Sequence, residues 1–121
     1  MKVIDSSKID VEKRSGGIFT GPVDIFTLVN GKIGASELRA AIVDFPPGVR
    51  NKFHVHTREQ LLFVTGGEGV VASESEEVKV KAGDMVFIPK GERHWHGATD
   101  ESSFQHLYVV PMDSKTSYDN D

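Results

Sequence analysis

Short runs that alternate between apolar and polar residues recur along the chain, with Gly, Pro, Asn or Asp between them at intervals of roughly eight to twelve residues. Successive side chains of a strand point to opposite faces, so this period of two predicts strands. Residues 36–45 illustrate it, with two apolar faces made of Leu38, Ala40 and Ile42 and of Ala41, Val43 and Phe45. Helical periodicity is nearly absent. We therefore expect an all-β fold, a sandwich or barrel of antiparallel strands.

The charge balance limits the partners that the chain can bind. Its formal net charge is −4, with 14 Lys and Arg residues against 18 Asp and Glu residues, and the basic residues form no stripe. Binding to nucleic acid or to anionic lipid needs clustered cations. We expect neither partner, and a small-molecule substrate is the remaining expectation.

The chain contains no cysteine, which excludes disulfides, thiolate nucleophiles and iron–sulfur clusters. A metal would have to bind through nitrogen and oxygen ligands. No segment approaches the length of a signal-peptide core or the ~20 apolar residues of a membrane-spanning helix. We therefore expect a cytoplasmic protein.

The length of 121 residues predicts one domain with a single core. We assign the barrel to residues 21–112. The polar residues 1–20 are expected to form an N-terminal extension that docks on a partner subunit, and residues 113–121 a flexible acidic tail. Several strands are apolar on both faces, as in residues 61–64, which predicts a homodimer or a larger homo-oligomer.

The five histidines all lie in strand-like runs at even positions. His54 and His56 are two residues apart, so they point the same way and form a chelating pair. His94 and His96 repeat this arrangement, and His106 lies in a third strand. Buried imidazoles need hydrogen-bond partners or a metal, because an unpaired buried polar atom costs roughly 1–3 kcal/mol.

Strand register decides which further residue joins the histidines. Counting on from His56, Gln60 falls on the histidine face and Glu59 on the opposite one. A slip of one residue would exchange the two. Gln60 is the better candidate ligand, and Glu59 remains the alternative.

These positions resemble the two sequence motifs of the cupin family. The first motif is matched by Gly48, His54, His56, Gln60 and Gly67. The second is matched by Gly83, Pro89, Gly91 and His94. Two positions depart from the family pattern, since Gln60 replaces a glutamate and Ala98 replaces an asparagine that often follows. The resemblance implies a double-stranded β-helix, a jelly-roll barrel that binds one divalent metal inside.

Within that family the chain is similar to small single-domain cupins that carry glutamine in the first motif and read His-Trp-His-Gly-Ala in the second. They include manganese-dependent hydroxynitrile lyases and cupins associated with carboxymuconolactone decarboxylases. The resemblance implies four metal ligands, His54, His56, Gln60 and His94. It also implies that His96 and His106 line the substrate cavity and are the catalytic acid/base residues. Manganese is the metal that it implies, and Fe, Co, Ni or Zn also suit such ligands.

A neutral amide ligand leaves the full charge on a divalent ion, which makes the ion a stronger Lewis acid. This favours a metal-dependent lyase that acts on a small oxygenated substrate, similar to a hydroxynitrile lyase. A cupin dioxygenase and a non-catalytic cupin that binds a small ligand are the alternatives. His96 and His106 favour an enzyme, because a storage pocket needs no extra titratable groups beside the metal.

Overall fold

The computed structural model describes residues 1–119. Asn120 and Asp121, the end of the predicted tail, lie outside the described residues. The chain forms ten strands: β1 (Glu12–Arg14), β2 (Val23–Val29), β3 (Leu38–Phe45), β4 (His54–His56), β5 (Gln60–Ser73), β6 (Glu77–Lys81), β7 (Met85–Ile88), β8 (His94–Ala98), β9 (Phe104–Pro111) and β10 (Thr116–Tyr118). The only helical segments in residues 1–119 are two short 3-10 turns, Ser6–Lys8 and Gly31–Ile33. The all-β prediction is confirmed.

The strands form two facing sheets whose pairs are all antiparallel. The first contains β1, β2, β3, β9, the first half of β5 and β7. The second contains β6, the second half of β5, β8, β4 and β10. Strand β5 belongs to both and joins them into a curled barrel. No helix in the described part of the chain is long and apolar enough to cross a membrane.

The glycine-rich stretch at residues 66–69 lies inside β5, although its composition predicts a turn between two strands. The pairing of β5 with β9 shifts between Val64 and Gly66, where the strand passes from one sheet to the other. A β-carbon on Gly67 would lie 1.8 Å from the Ser103 carbonyl oxygen, and the φ of Gly67 is +69°. Glycine is therefore required here for a bend and a close backbone approach, and the turn prediction is wrong.

Alternation along β3 and β9 builds the core between the sheets. Ala41, Val43 and Phe45 of β3 face inward, and Phe104 packs among them from β9. Burial of an apolar side chain of this size contributes roughly 1.5–3 kcal/mol. His106 lies on the same inward face of β9 as Phe104, so its side chain borders the core.

Segments near both ends of the described chain take part in the sheets. Residues 12–14, in the predicted N-terminal extension, pair with β2 as β1. Residues 116–118, in the predicted flexible tail, pair with β4 as β10 and place Thr116 opposite His56. Backbone pairing and a polar contact to His56 therefore join this part of the segment to β4.

Candidate metal centre

Three imidazoles converge inside the barrel. His54 and His56 point inward from β4, and His94 of β8 is the register partner of His54. The ring centroids are 4.2 Å apart for His54 and His94, 4.8 Å for His54 and His56, and 5.1 Å for His56 and His94. One ligand nitrogen from each residue lies within 4.8 Å of the others. This group could hold a metal ion.

Each of the three rings is oriented by an oxygen atom on its Nδ1 side. The His54 Nδ1 lies 2.7 Å from the Lys52 carbonyl oxygen, and the His94 Nδ1 lies 2.9 Å from the Glu92 carbonyl oxygen. A carbonyl oxygen only accepts, so both Nδ1 atoms carry the proton and donate it. Each Nε2 then has a free lone pair, which is the arrangement that a metal-binding imidazole needs.

Thr116 supplies the oxygen atom on the Nδ1 side of the third ring, that of His56. Its hydroxyl oxygen lies 2.8 Å from the Nδ1 of His56. The hydroxyl is held there because β10 pairs with β4 in the register Thr116 to His56. A segment from the end of the described chain therefore fixes one imidazole of the cluster.

Gln60 is buried beside these rings, whereas Glu59 is exposed. The Gln60 side chain lies close enough to His56 to act on the pKa of that imidazole. Three buried acceptor atoms here have no hydrogen-bond partner, namely Gln60 Oε1, His56 Nε2 and His94 Nε2. Unpaired buried acceptors are costly, and a cation among them would satisfy all three at once. The donor set therefore fits a divalent metal with nitrogen and oxygen ligands.

The environment keeps the imidazoles neutral. Burial, followed by the nearby His94, lowers the pKa of His54 to about 3. The same two causes lower the pKa of His56 to about 4, and burial also lowers the pKa of His94. A metal ligand must be deprotonated at the coordinating nitrogen. These three groups are therefore ready to bind a cation at neutral pH.

His96 and His106 form a second pair beside the cluster. The Nδ1 of His96 lies 3.2 Å from the Nε2 of His106, and both rings are buried. The Asn51 Oδ1 accepts a hydrogen bond of 2.8 Å from the His96 backbone N–H, and the Asn51 amide nitrogen lies 3.3 Å from the His96 ring nitrogens. Burial lowers the pKa of His96 well below its usual value and that of His106 to about 3. Both rings are neutral at neutral pH.

A cavity of about 450 Å³ borders most of these groups. His54, His56, Gln60, His96 and His106 all line it. Trp95, which follows His94 on the other face of β8, stacks under the guanidinium of Arg50, 4.1 Å from the ring centroid. The cavity therefore combines these five polar groups, while the indole packs outside its lining.

Asn51, Thr116 and Arg39 are among the lining residues that were not predicted from the sequence. Asn51 and Thr116 reach the histidines through long-range pairing, for which the local sequence has no signal. The local sequence does contain a signal for Arg39, because strand alternation places this residue on the inward face of β3 with Ala41 and Val43.

Two facing antiparallel sheets that enclose a histidine cluster define a small barrel protein with a possible internal metal site. Residues 41–110 match the family model described as Cupin domain. The chain belongs to the cupin family, and the resemblance found in the two motifs is confirmed.

Two curated relatives and a solved structure add detail. The (R)-mandelonitrile lyase of Granulicella tundricola is 38% identical over 92 residues, 75% of this chain and 70% of that one. The oxalate-binding protein of Thermotoga maritima is 31% identical over 113 residues, 89% of this chain and 92% of that one. The crystal structure of a cupin-like protein from Thermotoga maritima MSB8 is 31% identical with a TM-score of 0.82, over 88% of this chain and 82% of that one.

Proposed function

We propose that the protein is a metal-dependent lyase that cleaves a small oxygenated substrate, similar to a hydroxynitrile lyase. His54, His56, Gln60 and His94 are the proposed metal ligands, and manganese is the proposed metal. The observation that carries the proposal is the contact between His96 and His106 in the cavity that His54, His56 and Gln60 also line. The similarity to a mandelonitrile lyase supports the choice of reaction.

The proposed ligand set has a direct consequence for the chemistry. A divalent ion held by three neutral imidazoles and an amide oxygen would supply Lewis-acid polarisation of a substrate oxygen. The chain's own role is to orient the three rings through Lys52, Glu92 and Thr116 and to keep them neutral by burial.

The His96 and His106 pair would move the proton. In the cleavage of a cyanohydrin, the neutral His96 imidazole accepts the hydroxyl proton while the bond between the carbinol carbon and the nitrile carbon breaks. The charge on His96 is then shared with His106, whose Nε2 lies 3.2 Å from the His96 Nδ1. A buried imidazolium with a low pKa is a strong acid, so it returns the proton to the departing cyanide. The products are an aldehyde and hydrogen cyanide.

The test is a discontinuous assay of the manganese-loaded protein with racemic mandelonitrile. We expect release of benzaldehyde and cyanide with a preference for one enantiomer, and loss of turnover when the metal is removed by a chelator and dialysis. Metal content is measured on the same samples by elemental analysis. Stoichiometric manganese without any cleavage of mandelonitrile or of related aldol-type adducts would contradict the proposed reaction but not the metal site.

A non-catalytic role in ligand binding is the second candidate. It is favoured by the similarity to an oxalate-binding protein over 89% of this chain. It predicts tight, metal-dependent binding of a small ligand with no chemical change. A dioxygenase, by contrast, requires substrate-dependent oxygen uptake by the iron-loaded protein. Calorimetry and an oxygen electrode distinguish these outcomes from lyase activity.

We also propose that the protein is a homodimer. Leu61 and Phe63 of β5 lie opposite Phe87 and Met85 of β7 on the outer face of the first sheet. All four side chains are exposed, between 39% and 60% of their full area. A contiguous exposed apolar face of this kind usually marks an interface. The docking of residues 1–20 on the partner subunit remains part of this proposal.

A further inference from the structure

Arg39 occupies an unusual place for a charged residue. It lies on the inward face of β3 together with Ala41 and Val43, and its register partner on β9 is Val110. Arg39 is partly buried and its neighbours on that face are apolar, so the donors of its guanidinium that lie out of water need partners.

The protein supplies only part of these partners. The Nη2 of Arg39 donates to the Ser114 carbonyl oxygen at 3.0 Å. The Nε of Arg39 is buried without a hydrogen-bond partner, and so is the hydroxyl oxygen of Ser114. Within residues 1–119, no carboxylate lies at ion-pair distance from Arg39. The guanidinium and the neighbouring hydroxyl therefore both retain unused hydrogen-bonding capacity.

Arg39 and Ser114 line the same cavity as His54, His56 and Gln60. Tyr108 lines it between Arg39 and His106, and burial raises the pKa of its hydroxyl, which stays protonated at neutral pH and can donate. Arg14 also lines the cavity, but it is exposed and forms an ion pair with Glu12. Among the described lining residues there is no Asp or Glu. Among the described lining residues, Arg39 is therefore the cation without an ion pair, although the chain as a whole carries a net charge of −4.

We propose that Arg39 and Ser114 form a carboxylate-binding subsite, and that the natural ligand is a small oxo or hydroxy acid. Its carboxylate would lie on the guanidinium and the Ser114 hydroxyl, and its carbonyl or hydroxyl oxygen would face His56 and Gln60. A guanidinium binds a carboxylate through two parallel N–H donors, which sets the orientation of the ligand as well as its affinity. The proposal rests on the proposed function only in taking the histidine cluster as a metal centre.

The test is a calorimetric titration of the whole protein, with and without manganese. Pyruvate, acetoacetate and levulinate serve as probes, because they place the carboxylate at increasing distance from a keto oxygen. The methyl ester of each acid is its neutral counterpart. We expect at least one of the acids to bind at least about tenfold more tightly than its ester, as one charge-assisted hydrogen-bond pair allows.

Three variants test whether Arg39 and Ser114 cause the preference for the acid over its ester. Arg39→Met is expected to remove the preference for the acid and to leave ester binding unchanged. Arg39→Lys should retain part of the preference, because the charge remains and the second donor is lost. Ser114→Ala, a smaller change, should weaken acid binding in the same direction. Lys79→Met is the matched control, since it removes a positive charge from an exposed position on β6 and should change neither affinity.

Two results would overturn the subsite. The first is equal affinity for each acid and its ester in the wild-type protein. The second is an equal loss of acid and ester binding in Arg39→Met together with a lower melting temperature, which is what a purely structural contact to Ser114 predicts. Failure of the proposed function would give a different result. A protein that binds no manganese can still prefer the acid to its ester in the metal-free titration, and this preference would still depend on Arg39.

Discussion

The Nδ1 of His96 lies 3.2 Å from the Nε2 of His106, and the two rings are nearly perpendicular, with an interplanar angle of 77°. The two residues belong to different sheets, since His96 is on β8 and His106 on β9. Phe45 packs against both rings, with centroid distances of 6.0 Å and 5.5 Å. The pair is therefore fixed by the core and not by a flexible loop, which suits a group that must accept and return one proton.

The first prediction concerns this pair. His96→Ala and His106→Ala should each reduce the turnover of mandelonitrile by roughly 10²- to 10⁴-fold, the usual contribution of a general acid or base. Neither residue is a proposed metal ligand, so manganese content measured by elemental analysis should stay at the wild-type level. Retained turnover in both variants would contradict the acid/base assignment.

The second prediction concerns the contact between Thr116 and His56. Thr116→Val keeps the shape of the side chain but removes the acceptor for the Nδ1 proton of His56. Loss of such an orienting partner lowers metal affinity by about 10- to 100-fold, which competition with a metal-sensitive dye can measure. Ser117→Ala is the control, because Ser117 lies in the same strand and pairs with Val55. Equal affinity in the wild type and Thr116→Val would show that Thr116 does not orient the ring.

Thr116 also shows where sequence-based prediction succeeds and where it ends. Alternation within one strand predicted that His54 and His56 share a face, because this relation depends only on local geometry. Counting on through residues 57–59 favoured Gln60 over Glu59 as a candidate ligand, and Gln60 is the buried one of the two. The same rule, applied to β3, would have found Arg39. Thr116 and Asn51 reach the site through pairing with distant segments, and no local pattern encodes which segments will pair. The role of residues 66–69 was missed for a related reason, since a bend within one strand and a turn between two strands call for the same glycines.

The third prediction concerns the pH dependence of stability in the metal-free protein. Burial lowers the pKa of His106 from 6.5 to about 3 in the folded state, and the other four histidines shift in the same direction. Between pH 6.5 and about pH 3, His106 therefore binds a proton in the unfolded chain but not in the folded chain. The free energy of unfolding should therefore be highest above about pH 6.5 and fall as the pH drops, by up to about 1.4 kcal/mol per pH unit for each histidine.

Urea unfolding followed by Trp95 fluorescence, at pH values from about 4 to 8, measures this dependence. His106→Gln removes one titrating group, so its free energy of unfolding should change less steeply with pH, whatever its absolute stability. An unchanged slope in this variant would mean that His106 is not held neutral by burial.

The last prediction tests the proposed dimer. Phe63→Glu combined with Phe87→Glu places two carboxylates on the exposed apolar face of the first sheet, where a partner would have to bury them. Burial of an unpaired charge costs more free energy than a small dimer contact can offset, so the double variant should not form the dimer. Light scattering after size exclusion should therefore give the mass of two chains for the wild type and of one chain for the double variant. Leu38→Glu is the matched control, since Leu38 is also an exposed apolar strand residue but lies on β3, which β9 separates from β5. A wild-type protein with the mass of a single chain would contradict the dimer, and the metal site and the Arg39 subsite would then be properties of one subunit alone.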